Sequence, residues 1–221
     1  MNIDLNVDVG EGFPYDVPLL GLASQANICC GTHAGSRDLA RTTAALCRAK
    51  GVKFGAHPGL DDRPNMGRGP MPSYSRETWS ELRSSITCQI EDLLALGATY
   101  VKPHGTLYNE SADHQAVGEL MASCLAGSGL PLMGLPSTLH EEIARAANVG
   151  FIREAFADRA YSPDGRLMPR DRPGAVLTVL EEVLMNVGDV AGNCDSICVH
   201  GDTPGCVEFA RAVRNYLLEL N

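Results

Sequence analysis

Two periods of apolar and polar residues alternate along the chain. Residues 3–10, IDLNVDVG, put Ile3, Leu5, Val7 and Val9 on one side of an extended segment and Asn6 and Asp8 on the other. That predicts a strand with one polar face. SQANICCG (24–31) reads as a second strand. The spacing then predicts a helix over 36–50, with Ser36 as its cap, Leu39 and Leu46 on one face and Gly51 at its end. VKFGAH (52–57) is a third strand, and a Gly/Pro-rich stretch, 58–75, follows it. A connection of that length points to a lid or binding loop.

The pattern continues in the same way. Trp79, Leu82, Ile86, Ile90 and Leu93 define a helix over about 76–96. TYVKPH (99–104) is the fourth strand, a helix is expected over 112–126, and LPLMGL (130–135) is the fifth strand. Thr138 with Glu141 forms a capping box that opens the next helix. GFIREAF (150–156) is the sixth strand, followed by a second long loop from residue 157 with an SPDG turn. Val176, Val179, Val183 and Val187 mark a helix over about 175–191, DSICVH (195–200) is the seventh strand, and Val207, Ala210, Val213 and Leu217 mark a last helix over about 204–219. No repeat, low-complexity tract or linker interrupts the series, so residues 1–221 read as a single domain. Seven successive βα units predict a parallel sheet, either open or closed as a TIM-like (β/α) barrel. Polar residues cluster at strand ends and the long loops leave from strand ends, which favours the barrel with one site at its C-terminal face.

Composition narrows the classes of partner. The chain is 44% hydrophobic, enough for a sizeable core, but only 5% aromatic, which suits closely packed helix–sheet layers. A net charge of −9 excludes nucleic acid and anionic membrane surfaces as partners of the whole molecule. No apolar run reaches the length of a membrane span. MNIDLNVDVGEG has neither a basic nor a long apolar region, so no signal peptide is expected there. The 8 cysteines lack zinc-type pairing and fall mostly in apolar positions, as expected of reduced, buried thiols in a cytoplasmic protein.

The candidate chemistry lies where apolar runs stop. His33, His57, His104 and His200 each follow such a run close to a glycine, whereas His114 and His140 fall on expected helices and read as surface or cap residues. A lone histidine beside a strand is usually structural; four at strand ends suggest one constellation. Asp8 faces the polar side of the first strand, with Glu11 just beyond it, although both also suit turn hydrogen bonds. Lys102 shares a face with His104 and follows a run too apolar for a casual surface lysine, so it is expected to meet an anionic group. The sixth strand brings Glu154, and its loop brings Asp158, Arg159, Tyr161 and Arg170; Arg166 and Arg172 read as solvated loop charge. Asp202 and Thr203 follow His200 at a helix start, where backbone N–H groups also favour anions. Neither a P-loop nor a G-x-S-x-G elbow is present. No H-x-x-x-H pair supports a metal, and no tightly bound protein metal is expected.

DLNVDVGEG, ANICCGTHAG, GAHPG, VKPHGTLYN, FADRAYSPDGRLMPR and ICVHGDTP occur in that order over nearly the whole chain. Together they resemble the LamB/YcsF family, the A subunits of bacterial ATP-dependent 5-oxoprolinase. The resemblance implies a seven-stranded (β/α) barrel of the glycoside hydrolase/deacetylase type. It also implies opening of 5-oxo-L-proline to L-glutamate coupled to ATP hydrolysis, with Mg as the counter-ion of ATP, and separate B and C subunits as partners. The set departs from the family pattern at GFPYD, CCGTHAGSR and DDRPNMGRG, all at the mouth of the expected site. Such chemistry needs an anion binder, a base for water and an acid for the departing nitrogen. Lys102, Arg159 and Arg170, with Asn6, Asp158, Tyr161 and Asp202, suit substrate and phosphate binding. Asp8, Glu11, His33, His57, His104, Glu154 and His200 suit catalysis, with acid and base unassigned. A metal-dependent deacetylase or amidase on the same barrel, and a non-catalytic carbohydrate-binding or partner subunit, are the alternatives.

Overall fold

The structure is a computed structural model and describes residues 3–73 and 75–220. Its elements run β1 (Asp4–Val9), α1 (Asp16–Leu19), β2 (Gln25–Cys29), α2 (Arg37–Lys50), β3 (Lys53–His57), α3 (Arg76–Ala95), α4 (Gly105–Asp113), α5 (Gln115–Leu125), β4 (Leu132–Gly134), α6 (Leu139–Ala146), β5 (Phe151–Phe156), α7 (Leu180–Val190), β6 (Ser196–Val199) and α8 (Cys206–Leu220), with short 3₁₀ turns at Arg63–Asn65 and Ala191–Asn193. One parallel sheet holds six strands in the order β3-β2-β1-β6-β5-β4. The segment expected as a strand over 99–104 contributes a single bridge residue. Val101 pairs with Ala56 on one edge of the sheet and Leu132 on the other. The backbone around it bonds to both edges, through Ala56 N to Tyr100 O at 2.9 Å and Met133 N to Val101 O at 2.8 Å. Pro103, which has no N–H to give, ends the ladder there.

Helices cover the outside of the curled sheet. Ile3, Leu5, Val7, Val9, Ile28 and Val199 meet Ala40, Ala44, Cys47, Ile86, Ile90, Val187, Ala210 and Val213 in one apolar cluster. Small residues at the contacts let the helices lie close. α2 starts and stops as its sequence demands: Ser36 accepts from Leu39 N at 3.1 Å, and Gly51 takes a left-handed φ of 70°. Two helices differ from expectation. The one placed over 112–126 is two, broken at the extended His114, and the first begins at Gly105, straight after the edge segment. The one placed over 175–191 starts at Leu180, because Val176 bridges to Arg159 and holds the loop extended. Among the described residues, seven cysteines are buried and Cys88 is exposed, all free of disulfides, and no helix is long and apolar enough to cross a membrane.

The inside of the curl is polar. Asn27 donates to both Asn6 Oδ1 and Asp8 Oδ1 at 2.7 Å, and Tyr100 Oη donates to Asn27 Oδ1 at 2.8 Å. Asn6 Nδ2 donates to Ser196 Oγ at 2.8 Å, and Ser196 Oγ to Gln25 Oε1 at 2.8 Å. Strands β1, β2 and β6 thus alternate an apolar face under the helices with a hydrogen-bonded polar face toward the axis, and that ladder aims Asp8 at the C-terminal end.

Candidate functional site at the carboxyl ends of the strands

Lys102 is the centre of the arrangement. Its ammonium, buried at 2% exposure, lies 2.7 Å from Glu154 Oε1 and 3.0 Å from Asp8 Oδ1, with Cys198 Sγ at 3.1 Å and the Phe156 ring beneath it. The ammonium expected to await a substrate anion is therefore already paired with two carboxylates of the chain. Burial works against its charge, but Asp8, Cys198 and Glu154 hold its pKa well above the ordinary lysine range. Burial would likewise raise Asp8, yet Lys102, His57 and His200 keep it well below the usual carboxylate range. Glu154, completely buried beside the Tyr108 hydroxyl, is pushed up by burial despite Lys102. One ammonium cannot fully compensate two carboxylates, so Asp8 is the anion and Glu154 the group readier to hold a proton.

Two groups of side chains flank this centre. On the β6 side, His200 Nδ1 meets Asp158 Oδ1 at 2.7 Å, while His200 N and Thr203 Oγ1 donate to Asp158 Oδ2 at 3.1 and 2.8 Å. Asp158 thereby fixes the Nδ1–H form of the ring and leaves Nε2 facing Asp8 Oδ2 at 4.0 Å. On the β3 side, His57 Nε2 lies 3.7 Å from Asp8 Oδ2 and 2.9 Å from His104 Nδ1. Burial depresses the His57 pKa to about 3 and carries that of His104 well below the ordinary value. His33 stacks on His104 with centroids 3.8 Å apart, and Glu11 Oε1 approaches His33 Nε2 at 3.4 Å.

A cavity of about 450 Å³ opens over these groups, lined by Asp8, His57, Lys102, His104, Tyr108, Phe156 and His200. Both long loops wall it. The 58–75 loop accepts from Thr106 N at Gly67 O and sends Arg68 to Asp202 at 2.8 Å; Arg170 of the second loop reaches the same carboxylate at 3.1 Å. A second, larger groove lies over Leu135, Arg153, Tyr161 and Met185, away from the histidines.

Most of the expected residues converge here. Asn6, Asp8, His57, Lys102, His104, Glu154 and His200 gather at the strand ends, Glu11 and His33 on one flank, and Asp158, Arg170 and Asp202 on the other. Two expected binders have structural partners instead. Arg159 is buried and its Nε donates to Ala175 O at 3.1 Å, bracing its own loop, although it still borders the cavity. Tyr161 Oη accepts from Phe156 N at 2.8 Å and lies on the other groove. His140, read as a surface or cap residue, is wholly buried: its Nδ1 accepts from Leu135 N at 2.9 Å and its Nε2 meets Tyr108 O and Ser111 Oγ. His114 is exposed, as expected. Asn27, Tyr100, Cys198, Tyr108 and Arg68 join the site without having been singled out. Only Asn27 carried a signal, the polar alternation of Gln25 and Asn27 that repeats Asn6 and Asp8.

A curled, parallel six-stranded sheet wrapped in helices, with polar groups collected at the carboxyl ends of its strands, defines an α/β protein with a candidate site at that end. Within that class, the chain belongs to the LamB/YcsF family, whose model matches residues 3–221. It is 41% identical over 238 residues to the A subunit of 5-oxoprolinase from Neisseria meningitidis serogroup C (strain 053442), covering 98% of this chain and 96% of that one. It is 37% identical over 229 residues to the A subunit of 5-oxoprolinase from Haemophilus influenzae (strain PittEE), covering 96% and 94%. The crystal structure of the lactam utilization protein from Thermus thermophilus superposes with a TM-score of 0.85 at 33% identity, covering 100% of this chain and 97% of that one.

Proposed function

We propose that the chain is the A subunit of an ATP-dependent 5-oxoprolinase, a cytoplasmic enzyme that opens 5-oxo-L-proline to L-glutamate together with B and C subunits. In this reading residues 99–102 count as the seventh strand of a closed barrel. The observation that carries the proposal is the Asp158–His200–Asp8 line bordering a cavity of about 450 Å³, with Lys102 at its base. It is supported by the relatives' names.

The lactam amide is a poor electrophile, and ring closure opposes its hydrolysis. Transfer of the γ-phosphoryl group of Mg-ATP to the amide oxygen releases ADP and makes the ring carbon attackable. Water adds to that carbon, the ring nitrogen leaves as the amine, and a second water hydrolyses the acyl phosphate to glutamate and phosphate. His200, its Nδ1–H held by Asp158, takes the proton of the attacking water at Nε2, and the Asp8 carboxylate stabilises the imidazolium. Arg68 and Arg170 at the mouth receive the substrate carboxylate or phosphate in place of a P-loop.

The test is glutamate release and ATP hydrolysis by the chain reconstituted with B and C subunits. Both activities are expected to require all three. His200→Asn is expected to lower turnover by about 10²- to 10⁴-fold, while His114→Ala stays within a few-fold of the parent. Full activity of B and C alone, or equal losses in the two variants, would sink the reading.

A further inference from the structure

The flank of the site formed by Glu11, His33, His57 and His104 has a hydrogen-bonding problem that side chains alone do not solve. His57 Nδ1 lies 2.7 Å from the Lys102 carbonyl, and His104 Nε2 lies 2.8 Å from the Met66 carbonyl. A carbonyl oxygen only accepts, so both of those nitrogens carry the proton. A neutral imidazole has one N–H, which leaves lone pairs on His57 Nε2 and His104 Nδ1. These two atoms face each other at 2.9 Å. Two lone pairs at that distance repel unless a cation lies between or beside them.

The neighbours show which cation fits. Glu11 Oε1 lies 3.6 Å from His104 Nδ1 and makes no hydrogen bond, although its side chain is only 3% exposed. Both ring nitrogens of His33, fully buried, are also without a hydrogen bond; His33 Nε2 approaches the same Glu11 oxygen at 3.4 Å. A proton shared by His57 and His104 would satisfy that pair and leave Glu11 Oε1 orphaned. An ion with several coordination positions satisfies both. Around an ion with bonds of about 2.1 Å, adjacent ligand atoms lie about 3.0–3.5 Å apart. The separations of 2.9 and 3.6 Å bracket that edge on either side of His104 Nδ1, and the third side, His57 Nε2 to Glu11, is longer but within the 4.8 Å that spans the ligand atoms of all four residues.

The geometry points to a divalent transition-metal site, of the Zn²⁺ type, held by Glu11 Oε1, His57 Nε2 and His104 Nδ1. Two imidazoles and one carboxylate suit a borderline first-row ion rather than Ca²⁺ or Mg²⁺. His33 lies parallel to His104, planes 4° apart, so its lone pair is not aimed at the same point; it positions Glu11 instead. The Lys102 and Met66 carbonyls fix the two ligand rings from behind, as outer partners of metal-bound histidines do. Three protein ligands leave a position open, and His57 and His104 line the cavity. A bound ion there supplies Lewis acidity to an amide oxygen or a water. The proposal departs from the expectation that the protein holds no metal of its own. It stands apart from the choice of lactam substrate, since it concerns binding.

The experiment uses the untagged full chain, stripped with a chelator, dialysed, and titrated with Zn²⁺ in one series and Co²⁺ in another. Expected are one equivalent of Zn²⁺ by elemental analysis, a rise in melting temperature with Zn²⁺, and visible d–d absorption from bound Co²⁺. His104→Ala and Glu11→Gln are expected to abolish the Co²⁺ band, and His33→Ala to weaken Zn²⁺ binding by about 10- to 100-fold. His114→Ala is the control for surface histidines and is expected to bind as the parent does. Circular dichroism shows whether each variant is folded, and Glu11→Gln, nearly isosteric, keeps the test open if an alanine variant is not. Absence of binding to the parent chain, or undiminished Co²⁺ absorption in folded Glu11→Gln, would overturn the proposal and leave a shared proton between His57 and His104. None of these readouts depends on 5-oxoproline turnover, so a failed activity reading and a failed metal site are told apart.

Discussion

Lys102 shows how burial changes what a side chain does. A lysine at a strand end reads as a cation waiting for an anion; here Asp8 and Glu154 have already taken it. Lys102→Met removes the ammonium and leaves two buried carboxylates without compensation, a loss expected to cost about 3–5 kcal/mol. Adding Glu154→Gln removes one of those carboxylates and is expected to restore part of the melting temperature. A double variant that melts at or below the sum of the two single losses would show that the pair is not coupled in this way. His140 offers a separate handle on acid stability. Burial holds its pKa at about 3, so the folded chain keeps this ring neutral while the unfolded chain protonates it below about 6.5. Acid therefore favours the unfolded state, and the contribution of His140 is lost from pH 6.5 down toward 3, at up to about 1.4 kcal/mol per pH unit. Urea unfolding of the parent and His140→Gln is expected to show a stability gap that narrows as pH falls over this window. A gap that stays constant would exclude His140 as the source.

At the scale of elements, the 58–75 loop decides whether the histidine flank is closed. Gly67 has a φ of +68°, and a Cβ there would stand 2.9 Å from His33 Cβ and 3.1 Å from His104 Cδ2. Gly67→Ala thus combines a left-handed backbone with a clash against the stacked rings. It is expected to lift the loop from Thr106, raising hydrogen exchange over residues 58–73 and lowering turnover, with only a small change in melting temperature. A large drop in melting temperature without faster exchange in the loop would place the loop in the global folding unit. The length and Gly/Pro content of this loop were legible in the sequence, as were the six strands and the bounds of α2 and α3. The start of α4 at Gly105 was not, because the run up to His104 read as strand to its last residue; in the fold His104 stands extended at the N-cap position, with its ring held by the Met66 carbonyl of the loop. The strand over 99–104 was overestimated for a related reason. Its apolar run is real, but it meets its neighbours at one residue between two sheet edges.

For the whole molecule, the sequence by itself determined the α/β class and the end of the sheet at which the candidate residues gather. Local alternation of βα units permits a parallel sheet with helices outside, and polar side chains at the ends of apolar runs have to emerge at the carboxyl edge. Those are short-range properties, readable from period and punctuation. The tertiary structure alone decided who meets whom. Asp8 and Lys102 are 94 residues apart, Asn6 and Ser196 are 190 apart, and no local pattern says that β1 lies between β2 and β6. It also decided which groups remain available: Lys102 is held at the axis by Asp8 and Glu154, while Arg159 and Tyr161 bind backbone groups of their own loop and strand. Sequence lists residues that are able to carry charge or a proton, but burial and the distance to a partner set whether they do, and both exist only once the sheet has curled.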